Sequence, residues 1–463
     1  MIDGFRILVA NRGEIARRVI RSAHALGHDT VAVHSDADAG AAHVEEAGAA
    51  VAIGPAAARD SYLRTDAILA AARESGADAI HPGYGFLAEN AAFAEAVIDA
   101  GLIWIGARPE TIRAMGNKDR ARRIACAAGV PVVPGSDRLV PGEAYDLDAA
   151  AKATGYPLLV KASAGGGGIG MRRVDGPETL EKTVAATQSM AEKSFGDGTV
   201  FLERFVPRAR HVEIQVFGLG DGRAVHFYER DCSLQRRFQK VIEESPAPGL
   251  SAELRLRMAA AAVALCEETR YTGAGTVEFI LDVETQEFFF LEMNTRIQVE
   301  HPVTEMVTGY DLVALQIDLA RGQLENLDQS QISLDGHAVE CRLYAERPEK
   351  MFMPAPGTLS RFRLPNTNGT MRIEAAYREG EAISTHYDPM IAKIIAHGPD
   401  RATACDRAAA ALRAIEIEGP GHNRDFLVAC LEHAAFRAGA VHTGFIDVHR
   451  AALVEAATQG ETT

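Results

Sequence analysis

The sequence predicts a protein of mixed α and β structure in about three domains: a parallel α/β domain, then an α+β region around a glycine-rich hairpin, then a mixed C-terminal domain. Two observations lead to this prediction. Over residues 5–114, short β-rich runs alternate with Ala-rich helical patterns, which is typical of βαβ units in a parallel sheet. Further along, strand-like runs follow one another through short turns, which indicates antiparallel pairing.

Composition narrows the classes of function. The 463 residues are 47% hydrophobic and 24% charged, and the net charge of -15 comes without a long Lys/Arg run, which argues against nucleic acid as the main partner. The six cysteines are scattered without a Cys-x-x-Cys pair, so neither a zinc site nor a disulfide framework is predicted. Because no signal peptide or apolar stretch of membrane-spanning length is found, we expect a cytoplasmic protein with no membrane partner.

The first domain is predicted to span residues 1–116. Its strand-like runs and helical patterns occur strictly in turn, as parallel βαβ units require. We predict strands at 6–10, 30–34, 79–81 and 103–105, and helices at 15–26, 62–75 and 93–100.

A second domain, predicted over residues 117–335, opens with a helix at 118–128. Asn117 is a capping residue before this helix, and Gly129 and Pro131 follow its end. Lys118 lies in the first turn, where a cation opposes the helix dipole. A bound anion nearby would explain this lysine, and a solvated surface lysine is the alternative.

A glycine-rich hairpin follows. A strand is predicted at 157–161 and a return strand at 171–174, and the segment 164–170 between them holds five glycines in seven residues. Such a run costs conformational entropy unless the loop needs unusual dihedrals or close backbone approach to a ligand. It lacks the Gly-Lys-Ser/Thr end of a Walker A loop. We predict a flap over phosphates, within a lid of about residues 133–206, and a flexible surface linker is the alternative.

The remaining segments are predicted to be mainly antiparallel. The hairpin of 275–281 and 287–294 can turn Glu278 and Glu292 toward one site if the register allows. A C-terminal domain is predicted at 336–450, followed by a tail at 451–463 that is frayed from about residue 456. The other predicted strands are 199–206, 209–217, 224–230 and short runs within 337–396, and the other predicted helices are 252–268, 402–415 and 423–438.

Polar side chains occupy every second position from residue 292 to residue 300. They are Glu292, Asn294, Arg296, Gln298 and Glu300. This spacing predicts one face of an extended chain that leaves the core and delivers its polar groups to an opening. Oxygen ligands, a cation, an amide and a carboxylate in one line favour a site for a metal-bound, negatively charged substrate. The alternative is a half-exposed edge strand with a solvated charged face.

Over nearly its whole length the chain resembles biotin carboxylase, an ATP-grasp enzyme. The matching stretches are Ala10-Asn-Arg-Gly-Glu-Ile-Ala16, His81-Pro-Gly-Tyr-Gly-Phe-Leu87, Lys161 with its glycine flap, Arg210-His-Val-Glu-Ile-Gln215, Glu229-Arg-Asp-Cys-Ser233, Gln239-Lys-Val-Ile-Glu-Glu244, Glu292 to Thr304, His337-Ala-Val-Glu-Cys-Arg342 and Tyr387-Asp-Pro-Met390. The resemblance implies a Rossmann-like (PreATP-grasp) N-terminal domain, an ATP-grasp domain with a glycine-rich lid, and a mixed C-terminal biotin carboxylase domain.

The resemblance also implies a chemistry, in which ATP and bicarbonate give carboxyphosphate, CO2 follows, and the ureido nitrogen of biotin is carboxylated. It assigns two Mg²⁺ or Mn²⁺ ions to Glu278, Glu292 and Asn294, where hard oxygen ligands suit a phosphate-bridging cation. It assigns bicarbonate to Arg296, Gln298, the Val299 backbone and Lys240.

The resemblance further implies roles for catalytic and substrate-binding residues. Glu300 matches the base that takes the proton of bicarbonate and is expected to stay ionised next to Arg296. Arg342 matches the cation that stabilises the biotin enolate, Lys240 lies beside the transferred phosphate, and Tyr84 is a further biotin contact. The implied ATP contacts are Lys118, Lys161, Gly165, Gly166, Gly167, Gly168, Met171, Glu203, Val206, His211, Gln235 and Glu278.

Three positions depart from the family pattern. Ile169 stands where Lys or Arg is usual, Phe238 replaces a His near the nucleotide, and Arg204 takes a common Lys position beside the adenine. The catalytic segment is intact, so these changes point to nucleotide affinity or lid closure.

The sequence contains no Met-Lys-Met biotinylation motif. We therefore expect biotin to arrive on a separate biotin carboxyl carrier protein, with a carboxyltransferase subunit completing an acyl-CoA (for example acetyl-CoA) or keto-acid carboxylase, and a homodimer is the family-level expectation. The alternatives are another ATP-grasp carboxylate ligase and an inactive nucleotide-binding module.

Overall fold

A five-stranded parallel sheet forms the N-terminal part of the computed structural model, which describes residues 4–163, 170–324 and 326–460. The strand order is β3-β2-β1-β4-β5. Gly13, with φ of 63°, turns the chain from the first strand into the first helix. The elements are β1 (Arg6–Val9), α1 (Gly13–Ala25), β2 (Asp29–His34), α2 (Ala42–Glu46), β3 (Ala49–Ala52), α3 (Thr65–Ser75), β4 (Ala79–His81), α4 (Ala91–Asp99), β5 (Ile103–Trp104) and α5 (Pro109–Met115).

The parallel α/β prediction is confirmed for this part. Strand β3 and helices α2 and α5 were not predicted. The four residues of β3 are Ala-Ala-Val-Ala, and alanine has little preference for strands. Pairing with β2 makes this segment a strand, which local sequence cannot indicate.

Helix α6 (Lys118–Ala127) begins where predicted. The Asn117 side chain accepts a hydrogen bond of 2.9 Å from the backbone N–H of Arg120, which satisfies one of the free donors of the first turn. The lid follows this helix. Its elements are α7 (Leu147–Thr154), β6 (Leu158–Ala162), β7 (Met171–Val174), α8 (Leu180–Phe195) and β8 (Val200–Arg204).

The lid sheet has the order β7-β6-β8, and β6 and β7 are antiparallel with Leu158 opposite Val174. The predicted return strand is therefore confirmed. The glycine flap, Gly165 to Gly168, and Ile169 lie outside the described residues. Leu158, Val160 and Leu202 are fully buried and belong to the separate core of the lid.

The largest sheet among the described residues is antiparallel and has eight strands, in the order β13-β12-β9-β10-β11-β14-β21-β19. Helix α9 packs on β9 and β10, and α12 packs on β14 and β21. The first half is built from β9 (Ala209–Leu219), β10 (Ala224–Arg236), β11 (Gln239–Ser245), α9 (Ala252–Glu268), β12 (Thr272–Asp282), β13 (Phe288–Asn294), α10 (His301–Thr308) and α11 (Leu312–Ala320).

The sheet does not stop at the predicted boundary between residues 335 and 336, because β14 pairs with β11, with Glu340 opposite Glu243. In the chain after residue 336, the large sheet contains β14 (His337–Tyr344), β19 (Met371–Ala375) and β21 (Met390–Gly398). The other elements there are β15 (Glu346–Arg347), β16 (Met353–Pro354), β17 (Gly357–Thr358), β18 (Arg361–Arg363), β20 (Ala382–Ile383), α12 (Arg401–Arg413), β22 (Glu416–Glu418), α13 (Arg424–Glu432), α14 (Ala434–Arg437) and α15 (Phe445–Gly460).

Two predictions for the C-terminal part are wrong. Residues 451–460 are not a tail, and 456–460 are not frayed, because helix α15 runs to Gly460 and buries Leu453 in the core, 1% exposed. The helix predicted at 423–438 is broken at His433, whose backbone is extended with ψ of 130°. Among the described residues, no helix combines the length and apolar character needed to cross a membrane.

Candidate active site

The hairpin of β12 and β13 places Glu278 directly opposite Glu292. Residues opposite each other in an antiparallel pair project from the same face of the sheet. The register therefore allows Glu278 and Glu292 to face one site, as the sequence analysis required. The Asn294 amide donates a 2.9 Å hydrogen bond to Glu278. The side chain of Glu292 makes no hydrogen bond or ion pair with any described residue. Burial and then the charge on Glu278 raise the pKa of Glu292.

The extended face predicted from residue 292 to residue 300 is wrong beyond Asn294. Strand β13 ends at Asn294, the chain is then irregular, and residues 299 and 300 form a turn that leads into α10. Pro302 stands in the first turn of that helix, where its fixed φ favours a helix start. The polar side chains therefore separate: Gln298 and Glu300 reach the centre of the sheet, and Arg296 turns outward to Glu89, with a hydrogen bond of 2.9 Å.

Lys240 lies at the centre of the site. Its ammonium donates to Glu213 at 2.6 Å, Glu278 at 2.9 Å, Gln298 at 3.1 Å and Glu300 at 2.6 Å. Burial alone would lower the pKa of Lys240, but the three carboxylates outweigh it and raise the pKa. Four acceptors share an ammonium that has three hydrogens, and the three carboxylates also accept from other donors, among them Arg230, Asn294 and Arg342.

The Glu300 carboxylate lies between cations from three strands. Lys240 binds Oε1, and Arg342 binds Oε2 at 3.0 Å. Burial would raise the pKa of Glu300, but Lys240, Arg342 and Arg230 lower it well below the usual range. Glu300 is thus ionised, as predicted, although the expected cation was Arg296.

The predicted ATP contacts that lie among the described residues fall mainly into two groups. Lys118, Lys161, Glu203 and Glu292 line one cavity of about 480 Å³, in which Lys161 contacts Glu203 at 2.6 Å. His211 and Gln235 lie deeper, where the Gln235 amide is 2.8 Å from Nδ1 of His211 and His211 Nε2 is 3.0 Å from Glu278.

Met171 begins the return strand of the lid, and Val206 is buried just after β8. The flap positions from Gly165 to Gly168 lie outside the described residues.

A second cavity of about 510 Å³ brings together Tyr84, Arg296, Val299 and Arg342. The Tyr84 hydroxyl is buried and has no hydrogen-bond partner among the described residues. Segments quoted from three separate motifs also line this cavity. They are Asn11 to Ile15, Tyr84 to Phe86, and Tyr387, Asp388 and Met390.

The donor set around Glu278 fits a hard divalent cation. Glu278 and Glu292 are two carboxylates on one face, the pKa of Glu292 is raised by the charge on Glu278, and Asn294 adds an amide oxygen. A cation with oxygen ligands would relieve that repulsion. The residues present therefore suit Mg²⁺ or Mn²⁺.

Family models match in three consecutive parts: the biotin carboxylase N-terminal domain at residues 4–112, the ATP-binding domain of the carbamoyl-phosphate synthase L chain at 117–329, and the biotin carboxylase C-terminal domain at 340–448. A biotin carboxylase of Nostoc is 48% identical over 441 residues, which are 95% of this chain and 98% of that protein. The chain belongs to the biotin carboxylase family.

Other biotin carboxylase relatives extend the comparison. The mitochondrial methylcrotonoyl-CoA carboxylase subunit alpha of rice is 48% identical over 98% of this chain, but the chain spans only 62% of that subunit. A Campylobacter jejuni biotin carboxylase structure in a β-γ-ATP complex matches with a TM-score of 0.89 at 40% identity, covering 96% of this chain and 98% of that one.

The biotin carboxylase domain dimer of Hydrogenobacter thermophilus 2-oxoglutarate carboxylase, with MgADP, ADP and bicarbonate, matches with a TM-score of 0.88 at 42% identity. It covers 97% of this chain and 98% of that one. Members of this family are ATP-dependent ligases with the three-part architecture described above.

Two of the three departures from the biotin carboxylase pattern, Phe238 and Arg204, are among the described residues. Phe238 is 70% exposed in the turn between β10 and β11, with φ of 65°. Arg204 at the end of β8 is 4.0 Å from Glu287.

Several residues of this biotin carboxylase site were not predicted. Glu213 holds Lys240, and the fully buried Arg230 holds Glu213 at 2.6 Å and Gln215 at 2.6 Å. One signal in the sequence could have found Glu213, because it alternates with His211 and Gln215 along a single strand. The position of Arg230 depends on pairing between β9 and β10, for which its own neighbours carry no signal.

Proposed function

We propose that this chain carboxylates biotin on a separate carrier protein, with ATP and bicarbonate as the other substrates. The observation that carries the proposal is Glu300: an ionised carboxylate bound by Lys240 and Arg342. Its segment contributes residues to both cavities, Glu292 to one and Arg296 and Val299 to the other. One cavity offers Lys118 and Lys161 to phosphates, and the other offers Tyr84 and Arg342 to a neutral ring.

ATP binds against Lys118, Lys161 and Glu203, which line one cavity. Mg²⁺ or Mn²⁺ held by Glu278, Glu292 and Asn294 would neutralise phosphate charge and orient the phosphate oxygens. Bicarbonate is held by the Arg296 guanidinium, the Gln298 amide and the Val299 N–H.

Glu300 takes the proton of bicarbonate, and a bicarbonate oxygen bonds to the γ-phosphorus as ADP leaves. The Lys240 ammonium can turn from the carboxylates to the transferred phosphate. Glu300 then loses one of the cations that lower its pKa, and its strength as a base rises.

The carboxyphosphate divides into CO2 and phosphate, and the phosphate accepts the proton of the biotin ureido nitrogen. The nitrogen then bonds to the carbon of CO2. Arg342 stabilises the negative charge that develops on the ureido oxygen. Tyr84 lies in the same cavity as Arg342 and positions the ring.

We further propose that a biotin carboxyl carrier protein and a carboxyltransferase subunit complete the enzyme in the cytoplasm, and that two copies of the chain form a homodimer. The carboxyltransferase decides the final acceptor. Acetyl-CoA is the example expected from the sequence, and the relatives include carboxylases named for methylcrotonoyl-CoA, 2-oxoglutarate and pyruvate.

The test is ATP cleavage by the purified chain with and without bicarbonate and free biotin. Dependence on both supports the proposal. Dependence on a different carboxylic acid would identify another ATP-grasp ligase, and ATP binding without cleavage under any condition would identify an inactive nucleotide-binding module.

A further inference from the structure

Two buried side chains bind the peptide groups on either side of Val299. Nδ1 of His301 lies 2.7 Å from the carbonyl oxygen of Gln298. The Lys393 ammonium donates a 2.8 Å hydrogen bond to the carbonyl oxygen of Val299. Both side chains are 0% exposed, so neither bond competes with solvent.

These two bonds help to fix which way the intervening N–H groups point, together with a longer, 3.3 Å bond from the backbone N–H of His301 to the same Gln298 carbonyl. In a planar trans peptide the carbonyl and the N–H point in opposite directions. Because His301 binds the Gln298 carbonyl, the Val299 N–H points away from His301. That N–H has no acceptor among the described residues, and Val299 lines the 510 Å³ cavity with Arg296. A fixed N–H and a guanidinium that line one cavity are both donors for a small anion.

His301 can act only as a donor in this contact, because a carbonyl oxygen only accepts. Burial, and then the charge on Lys393, lower the pKa of His301 well below its ordinary value, so the ring is neutral with its proton on Nδ1. Nε2 carries no proton and has no hydrogen-bond partner among the described residues. Holding the Gln298 carbonyl is therefore the one hydrogen bond that this ring makes within the described structure.

Lys393 is held in place from three parts of the fold. On the sheet, it lies opposite Arg342 of β14 and opposite Glu374 of β19. Its ammonium contacts Glu374 at 2.7 Å and Glu14 of α1 at 3.4 Å. The Val299 carbonyl accepts a hydrogen bond from the ammonium, and the two carboxylates form ion pairs with it, so the N-terminal domain, the C-terminal strands and the segment before α10 meet at one atom.

We propose that His301 and Lys393 are positioning residues for the bicarbonate site. They fix the two peptide groups around Val299, so that the Val299 N–H remains directed at the anion and Glu300 remains between Lys240 and Arg342. This inference rests on the proposed function, which it extends by two residues that touch neither substrate.

The test compares three His301 variants in steady-state ATP cleavage with biotin present. His301→Leu removes the donor, and we expect the KM for bicarbonate to rise about tenfold, the effect of losing one well-placed hydrogen bond. The KM for ATP should not change. His301→Asn places an amide N–H near the Nδ1 position and should restore a low KM for bicarbonate. His301→Gln carries its amide farther out and should resemble His301→Leu while keeping a polar side chain.

His43 provides a matched control. It is also 0% exposed, burial also lowers its pKa, to about 4, and one ring nitrogen also faces a backbone carbonyl, that of Val33 at 3.3 Å. His43→Leu should leave the KM for bicarbonate unchanged. If it raises this KM as much as His301→Leu does, the effect is a general one of losing a buried histidine and the inference is wrong.

Lys393 is tested with a charge-balanced pair, Lys393→Met with Glu374→Gln, which removes one buried cation together with one of the buried carboxylates beside it. The pair should raise the KM for bicarbonate, and Glu374→Gln alone should raise it less. The inference would be wrong, and the proposed function would stand, if the wild type requires bicarbonate but the KM for bicarbonate is unchanged in His301→Leu, in His301→Gln and in the Lys393 pair. A wild type that cleaves ATP without bicarbonate would overturn the proposed function, and the inference with it.

Discussion

Glu300 shows how a buried carboxylate is kept ionised at the centre of a protein. Taking the charge out of water is costly, and the cost is offset by Lys240, Arg342 and Arg230 together. No one of these cations would suffice alone, since each is also bound by another carboxylate, such as Glu213 or Glu243. The charge state of Glu300 is therefore a property of the cluster.

Replacing Glu300 by Gln should separate ATP binding from chemistry. The variant keeps the size of the side chain but cannot accept a proton, so we expect biotin-dependent turnover to fall at least about a hundredfold. ATP binding, measured by calorimetry, should be nearly intact. Glu229→Gln is the control, because Glu229 is a buried carboxylate paired with Arg255 at 2.8 Å outside the site. Turnover in Glu300→Gln within a few-fold of wild type would refute the assignment.

Glu340 shows the opposite case. Its two carboxylate oxygens have no hydrogen-bond partner among the described residues, and it faces Glu243 across the pair of β11 and β14. Burial, and then the charges on Glu243 and Glu374, raise the pKa of Glu340 well above its ordinary value of 4.5, although Lys393 and Arg342 oppose them. The folded protein thus holds a proton here that the unfolded chain releases.

The sign of the pH effect follows from that proton. A raised folded-state pKa gives a contribution to stability that is complete below pH 4.5 and is lost as the pH rises toward the folded value. Glu340→Gln removes this titration. Its free energy of unfolding relative to wild type should therefore increase with pH, by at most about 1.4 kcal/mol for each pH unit. Urea unfolding of both proteins at a series of pH values tests this, and a constant difference would show that Glu340 does not titrate there.

The motifs identified the site residues better than they identified their contacts. The ionised state of Glu300 could be predicted, but its expected partner was Arg296, because the two are close in sequence. The cations that act on it come from β10, β11 and β14, and only the folded sheet brings them together. The roles of His301 and Lys393 are invisible in sequence for the same reason, since each acts through a backbone carbonyl.

Among the elements, the hairpin of β12 and β13 has the most direct bearing on chemistry. Its register puts Glu278 opposite Glu292, and a slip of one residue would move Glu292 to the other face. The triple Phe run in β13 stabilises this register, since Phe288, Phe289 and Phe290 are all at most 8% exposed. Packing of the aromatic half of the strand therefore sets the position of the acidic half.

Replacing Glu292 by Gln should change the dependence of activity on the metal ion. The hairpin would remain, but the site would lose an anionic ligand and bind the cation more weakly. We expect activity to fall at low Mg²⁺ and to recover in part when Mg²⁺ or Mn²⁺ is raised. Activity assays across a metal titration test this. A loss of activity that no concentration of metal alters would show that Glu292 is not a ligand.

Element boundaries could be predicted where local chemistry fixes them, as at Asn117 before α6 and over the whole of α9. They could not be predicted where a turn overrides a pattern. Alternating polarity suggested a strand as far as Glu300, whereas the helix that starts at His301 forces the chain to turn first.

At the scale of the molecule, one sheet joins two segments that the sequence analysis assigns to different domains. Pairing of β11 with β14 carries the sheet across the predicted boundary at residue 335, with Ile242 opposite Cys341 and Glu244 opposite Val339. The succession of strands and helices indicates domains, but hydrogen bonds between distant strands leave no trace in local sequence. The architecture could thus be predicted, and the continuity of its largest sheet could not.

Because the sheet continues past residue 335, a chain truncated at that residue should be prone to aggregation. A fragment ending there would lose β14, and β11 would become an open edge with unpaired N–H and C=O groups, which is a template for intermolecular pairing. Glu243 would also lose its contact with Arg342, 2.5 Å in the whole protein. We expect fragment 1–335 to aggregate where the full chain stays dispersed, as light scattering would show. A dispersed, folded fragment would mean that some other segment covers the edge of β11.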